Sequence, residues 1–343
     1  MSKTSKKGMK LCLVLITAAL FLALNMGGVA AAKAREMSLS VWSGGEHYHT
    51  KALQAWAKDV EAAAKGQVKI VFYPGGTLTG GTQAYNGLVK GISDLASSCN
   101  GWTRGRFPLT EVADLPLPMH TSVQASLANW DFYKKFKPKE WDEVEVLYLF
   151  NHGHQFLHTK NPVTRFEDMK GLRIRSTGND AKAMKAAGAT PVAMSIGEAY
   201  ISLQKGIVDG ILCNFGAMKG WKLAELVKNH LDYPMVGCGF WVAMNKKVYK
   251  SLSPAVQKAF KDVSEKHVAL TGQAWEQADQ AARKFALGLG NKINKLAPAD
   301  EKKFQEAFKP LLDEYVADMK AKNLPGQEAL DYFTAALKKY EGR

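Results

Sequence analysis

The sequence predicts an α/β fold of two lobes tied together by one long helix, and three observations carry that expectation. The first is the stretch from Lys170 to Phe215. Lys170-Gly171-Leu172-Arg173-Ile174-Arg175-Ser176 reads as a strand closing in arginine, and a segment of helical period leads on to Gly206. Val208-Asp209-Gly210-Ile211-Leu212-Cys213-Asn214 is then a second strand, closing in asparagine, and the whole is a βαβ unit. In open α/β sheets ligands bind beyond the carboxyl ends of the strands, so this unit brings Arg175 and Asn214 to a sheet edge. A planar guanidinium fork beside an amide suits a carboxylate.

The second observation is an internal repeat. Ala84-Tyr85-Asn86-Gly87-Leu88-Val89-Lys90-Gly91-Ile92-Ser93-Asp94 matches Ala199-Tyr200-Ile201-Ser202-Leu203-Gln204-Lys205-Gly206-Ile207-Val208-Asp209 at seven of eleven positions, and Cys99-Asn100 follows much as Cys213-Asn214 does. In each copy a glycine suited to an αL cap stops the helix and a strand follows. Two similar lobes would each bring a strand end to a shared cleft, with Cys99 and Cys213 beside it. The third observation is a helical pattern from Pro254 to about Leu287, roughly 50 Å long at 1.5 Å per residue. A helix of that length can run along both lobes, and Thr271-Gly272 is where a kink in it costs least.

The remaining elements follow in order. Lys3, Lys6, Lys7 and Lys10, the apolar run Leu11 to Leu24 and the small residues Gly27 to Ala32 describe a cleavable secretory signal over residues 1–32. Met37 to Ser43 alternates as a first strand, Thr50 to Ala64 has helical period, and Val68 to Tyr73 is a second strand before the turn Pro74-Gly75-Gly76. The first repeat copy supplies a helix, a strand ending at Ser98 and the loop Cys99 to Trp102. A short apolar segment at Val112 to Pro118 precedes an aromatic-rich helix, Ser122 to Phe136, and a strand, Val144 to Phe150, that starts the crossing into the second lobe. There, Pro162 to Met169 is a loop, Asp180 to Ala187 a helix and Pro191 to Met194 a short strand. Leu223 to Lys228 reads as helix, Gly239 to Asn245 as strand, and Ala299 to Tyr340 as helix broken at Pro310 and Pro325.

Composition narrows the function. At 343 residues and 46% hydrophobic content the chain can bury two sizeable cores. Loss of the four signal-peptide lysines lowers the net charge from +14 to +10, a basic surface that gathers anions. Export and the lack of an aromatic-basic module argue against nucleic acid as a partner. Cys12 lies within the signal's apolar run, and Cys99, Cys213 and Cys238 remain, with no C-x-x-C pair for zinc or redox work.

Trp42 and Trp102 stand just past strand ends of the first lobe, where a pair of indoles would favour a flat or apolar ligand body. Ser43, Asn100 and Phe215 adjoin these strand ends and complete the expected lining. A rival chemistry lies in His47 and His49 and in His152, His154 and His158, whose H-x-H spacing puts two imidazoles on one strand face, as a metal-binding protein or metal-dependent enzyme could use. No G-x-S-x-G elbow accompanies them.

Gly75-Gly76-Thr77-Leu78, Gly91 with Asp94, Met169 to Arg175, Gly188 to Val192, Glu198 to Gly210 and Val242 to Asn245, in this order and spacing, resemble the solute-binding proteins of TRAP (tripartite ATP-independent periplasmic) transporters over essentially the whole mature chain. The resemblance implies a two-lobed periplasmic-binding-protein-like fold that closes on a small organic anion in the periplasm and delivers it to the integral membrane subunits, without catalysis and without a cofactor. On this template residues 33–152 begin lobe I and 153–238 begin lobe II. Residues 239–272 return to lobe I with the first half of the spanning helix, 273–308 lie on the lobe II side, and 309–343 are the C-terminal helices. The resemblance puts Arg175 on the substrate carboxylate and Asn214 as a second ligand. It sets Gln155 near a place where many members carry another arginine, and Ile196 where an aromatic is common. Aliphatic carboxylates, aromatic acids and sulfonates all satisfy this pattern.

Overall fold

A computed structural model describes residues 33–103 and 105–342; the signal-peptide reading of residues 1–32 lies outside them. The chain begins with β1 (Arg35–Val41), α1 (Tyr48–Ala63), β2 (Val68–Tyr73), α2 (Ala84–Lys90), β3 (Leu95–Cys99), α3 (Ser122–Phe136) and β4 (Val144–His154). It continues with β5 (Phe156–Thr159), β6 (Arg173–Arg175), α4 (Asn179–Ala186), β7 (Thr190–Val192), α5 (Ala199–Gln204), β8 (Gly210–Cys213), α6 (Gly216–Gly220) and β9 (Asn229–Leu231). Last come β10 (Gly237–Asn245), α7 (Lys246–Ser251), α8 (Pro254–Gly288), β11 (Lys292–Asn294), α9 (Pro298–Ala321) and α10 (Gly326–Lys339).

These elements make two sheets, ordered β2-β1-β3-β10-β4 and β11-β9-β5-β8-β6-β7. In the first lobe β1 and β3 run parallel, while β10 lies antiparallel between β3 and β4. In the second, β8, β6 and β7 are parallel and β5 is antiparallel to β8. Each sheet has its own core, around Trp56, Tyr148 and Trp241 in one lobe and Leu157, Ile174 and Phe304 in the other. The chain passes from β4 to β5 through Gln155, whose amide donates to the Val236 carbonyl at 2.9 Å and whose carbonyl accepts from Met235 at 3.0 Å. The outgoing and returning segments are thus bonded side by side at the crossing.

The repeat is a repeat of structure as well. Gly91 (φ 76°) and Gly206 (φ 69°) take the left-handed conformation after α2 and α5, and β3 and β8 follow. The repeated aspartate does one job twice: Asp94 Oδ2 accepts from Ser38 N at 2.8 Å, and Asp209 Oδ2 accepts from Arg173 N at 2.9 Å, pinning the neighbouring strand in each lobe. Arg173 is also ion-paired with Asp209 at 2.8 Å, so it is held at the strand's outer end.

Helix α8 starts at a Ser253 cap with Pro254 at its first position, the arrangement that removes an orphan N–H. Its first half receives Trp56 Nε1 on Ser264 (3.1 Å) and Trp130 Nε1 on Glu265 (2.5 Å) from the first lobe. Its second half places Ala282 and Ala286 in the core of the second lobe. The helix is continuous from Pro254 through Gly272 to Gly288. A Cβ at that glycine would stand 2.8 Å from Val123 Cα and 2.9 Å from the Ser122 carbonyl, so the residue is small because α3 packs directly on α8.

Three expectations are corrected. Pro310 does not break α9, because it is exposed while Phe304, Phe308, Leu311 and Tyr315 bury the opposite side on both flanks. The stretch Leu223 to Lys228 is a single 3₁₀ turn (Leu223–Glu225) that leads into β9. Strand β1 ends at Val41 rather than Ser43, which leaves Trp42 and Ser43 in the loop beyond it. Helix α10 folds back on the first lobe, with Phe333 against Phe132.

Candidate ligand-binding site

The carboxyl ends of β6 and β8, the loops after β1 and β3, the β4–β5 crossing and the second half of α8 surround a cavity. Arg175 closes β6 and is only 4% exposed; its Nε donates to the Met194 carbonyl at 3.1 Å, while Nη2 is buried with no partner. No carboxylate within the described residues forms an ion pair with this guanidinium. A buried cation with an open N–H edge is a receptor for an anion, since leaving the donor unmet costs about 1–3 kcal/mol or more.

Aromatic rings form the facing walls. Trp102 meets Trp42 edge-on at 4.9 Å between ring centroids, Trp221 lies nearly parallel to Trp42 at 6.4 Å, and Phe240 packs on Trp275 at 5.0 Å. Nε1 of Trp42 and of Trp275 are buried without partners, two further open donors on this wall. His152 stacks on Trp275 at 5.2 Å, and burial lowers its pKa to about 3, so the imidazole is neutral. The acidic side of the site is Asp180, whose Oδ1 accepts from Gln155 Nε2 at 2.5 Å and whose pKa burial raises to about 7.

The lobes meet at the mouth of this cavity. A Cβ on Gly178 would lie 3.0 Å from Gly101 Cα, so the loop after β3 touches the loop after β6, backbone to backbone. Tyr48 of α1 and Asn214 at the end of β8 join across the cleft, with Asn214 Nδ2 donating to Tyr48 Oη at 3.0 Å. The structure is therefore a closed form.

Of the residues expected from sequence, Arg175, Asn214, Gln155, Trp42, Trp102, Cys213 and Ile196 line the cavity. Ser43, Asn100, Cys99 and Phe215 do not. Ser43 is fully buried with its hydroxyl 2.8 Å from that of Thr50, and Asn100 is fully buried beneath Gly239. Cys99 Sγ turns to Cys238 Sγ at 3.2 Å, and Phe215 lies in the second lobe's core under the Arg283 guanidinium. Ser43 is taken by the Thr50 hydroxyl instead, Cys99 by Cys238, and Phe215, which opens α6 in helical conformation, by the second lobe's core. Sequence reasoning missed Tyr48, Thr177, Asp180, Trp221, Cys238, Phe240 and Trp275 among the lining residues. Phe240 was within reach, as a position of a strand already recognised, and Cys238 stands one residue before the expected start of that strand; Trp275 was not, because nothing in a helix's own pattern says which lobe its faces meet.

The histidines do not converge. His47 caps α1 through Nδ1, His49 Nε2 lies 3.1 Å from Ser97 Oγ, and the Nδ1 atoms of His158 and His230 lie 2.8 Å apart. Among the described residues no group of three or more His, Cys, Asp or Glu side chains is placed to hold a metal ion.

This architecture is shared with known proteins. The chain is 27% identical over 321 residues to the ectoine-binding periplasmic protein TeaA of Halomonas elongata, covering 88% of this chain and 92% of that one. A TRAP periplasmic solute-binding protein of Bordetella bronchiseptica, solved with bound (R)- and (S)-mandelate, is 28% identical with a TM-score of 0.84, covering 89% of this chain and 99% of that one. A marine metagenome TRAP solute-binding protein specific for aromatic acid ligands, solved with metahydroxyphenylacetate, is 25% identical with a TM-score of 0.86 over 90% and 99% of the two chains. The family model for bacterial extracellular solute-binding proteins, family 7 (DctP), matches residues 39–318, and the chain belongs to that family.

Proposed function

We propose that this protein captures a small aromatic carboxylate in the periplasm, closes its lobes around it and delivers it to the integral membrane subunits of a TRAP transporter, with no chemistry of its own. The observation that carries the reading is the buried, unpaired guanidinium edge of Arg175 opening into a cavity walled by Trp42, Trp102, Trp221, Phe240 and Trp275. The guanidinium supplies a charge-assisted seat for the carboxylate, and the rings supply flat apolar contact for the body behind it. Solved relatives at 25–28% identity bind metahydroxyphenylacetate and mandelate, which supports the same choice here. Closure around the ligand is a hinge motion in which the ligand provides the free-energy difference between open and closed forms.

A thermal-shift screen of benzoate, phenylacetate, succinate and a hexuronate tests the reading. Aromatic acids at a hundredfold excess over their Kd stabilise by about 2.7 kcal/mol and raise Tm by several degrees. Stabilisation by succinate or the hexuronate alone would overturn the aromatic assignment.

A further inference from the structure

The cavity contains one guanidinium and one buried carboxyl that do not pair with each other. Arg175 ends β6, Asp180 stands in the first turn of α4, and both line the cavity. Asp180 is 6% exposed, and the amide of Gln155 is its side-chain hydrogen-bond partner. The charged and titratable groups that face it are Arg175 on β6, Asp114 on the 3₁₀ turn Thr110–Asp114 with Glu111 behind, Cys213 on β8 and Cys238 on β10. Lys182, on the outer face of α4, is held by Glu314 and Asp318 of α9 and stays outside the cavity lining. With Asp180 ionised, a carboxylate seated on Arg175 therefore sets two negative charges against one positive among largely buried groups, which is costly unless another hydrogen enters.

We propose that Asp180 is a specificity-determining residue of this site: it selects acids that carry a hydrogen-bond donor, a hydroxyl or an ammonium, beside their carboxylate, and it takes up a proton when a plain carboxylate binds instead. The inference rests on the aromatic-acid reading above. Arg175 ends β6, Asp180 stands in the first turn of the helix that follows, and both line one cavity, so a donor beside a carboxylate seated on Arg175 would come within reach of Asp180. Sites built to bond a ligand hydroxyl discriminate strongly against the analogue lacking it, because their own buried polar group is then left unmet. Burial places Asp180 near a pKa of about 7 in the empty cavity, so the proton is accessible at neutral pH. Below pH 7 the carboxyl is already protonated and a plain acid binds independently of pH. Above it one proton is taken up per ligand, and affinity falls about tenfold per pH unit until the bound-state pKa is passed.

The experiment is titration calorimetry of the purified protein and of Asp180→Asn with phenylacetate, mandelate and phenylglycine between pH 6 and 9. Wild type should lose phenylacetate affinity above pH 7, hold mandelate or phenylglycine with a flatter profile, and prefer one of them at least tenfold at pH 8.5. Asp180→Asn should bind phenylacetate tightly with no pH dependence and lose that preference. In wild type, repeating the pH 8 titration in buffers of different ionisation heat should count nearly one proton taken up per phenylacetate and close to none per mandelate. A flat wild-type phenylacetate profile with no proton uptake, or an unchanged ligand preference in Asp180→Asn, overturns the assignment to Asp180 alone. Failure of all three acids to bind wild type overturns the aromatic reading and this inference with it.

Discussion

Asn214 Nδ2 donates to Asp279 Oδ1 at 2.7 Å, which fastens the end of β8 to the long helix. The same nitrogen reaches Tyr48 Oη at 3.0 Å, and the same oxygen accepts from Gly216 N at 2.7 Å. First lobe, second lobe and spanning helix therefore share one hydrogen-bond knot at the cavity wall, and it can form fully only when the lobes are together. Tyr48→Phe removes the cross-cleft bond and keeps the ring on Trp275. We expect a fivefold loss of ligand affinity, the equivalent of about 1 kcal/mol, with a more open distribution of inter-lobe distances from paired spin labels. Unchanged distances together with unchanged affinity would remove the knot from the closing mechanism.

Asp279 gives that knot a pH dependence. Burial raises its carboxyl to about 7, well above the ordinary aspartate range, so the folded state binds more protons there than the unfolded chain does. The sign follows: stability from this group is complete below about pH 4 and is lost as pH rises towards 7. Asp279→Asn mimics the protonated carboxyl, so its stability relative to wild type should climb between pH 4 and 7 and level off above. Comparing the two proteins by urea unfolding cancels the buried histidines His152 and His230, whose lowered pKa values act in the opposite direction. A pH-independent difference would show that Asp279 is ionised in the fold.

On the proposed reading Arg175 is the anion seat. Arg175→Ala should weaken carboxylate binding at least a hundredfold, close to 3 kcal/mol, and leave unfolding cooperative. Arg175→Lys should also bind poorly, because a point charge does not replace a fork and cannot keep the bond to the Met194 carbonyl while facing the cavity. Near wild-type affinity in Arg175→Ala, measured by calorimetry, would place the ligand elsewhere.

Gly272 sets the spacing of α3 on α8. Alanine improves helix preference by up to about 1 kcal/mol, yet its methyl would meet Val123 Cα at 2.8 Å, and backbone cannot rotate aside. Overpacking of this kind costs typically about 1–3 kcal/mol. Gly272→Ala should therefore lower Tm by a few degrees. A raised Tm would mean that the helices separate freely.

Cys99 and Cys238 are the thiols placed to react with each other. They lie 3.2 Å apart on adjacent strands, both in the first lobe, while Cys213 ends β8 in the second. Mild oxidation should join Cys99 to Cys238, leave Cys213 alkylatable after unfolding and spare lobe movement, since the bridge does not cross the cleft. Peptide mapping that finds Cys99 joined to Cys213 would contradict this geometry.

The sequence by itself determined the elements and their direction. The repeat, the strand end at Arg175, the span of α8 and the helix Ser122 to Phe136 were all legible, because periodicity, glycine caps and the Ser253-Pro254 start act over a few neighbouring residues. Short strands such as β9 and β11, three residues each, have no period to show and exist only by pairing with each other and the sheet. Half of the cavity was likewise invisible. Asp180, Trp221 and Trp275 come to Arg175 from a helix turn, the turn that ends a second helix and the spanning helix. Only packing the two lobes decides that an unremarkable helix face becomes a wall, and that Asn214 turns its amide to Tyr48 and Asp279. Local chain physics writes each strand end; the closing of one lobe on the other is a sum of long-range contacts, and that sum decides which side chains share a cavity.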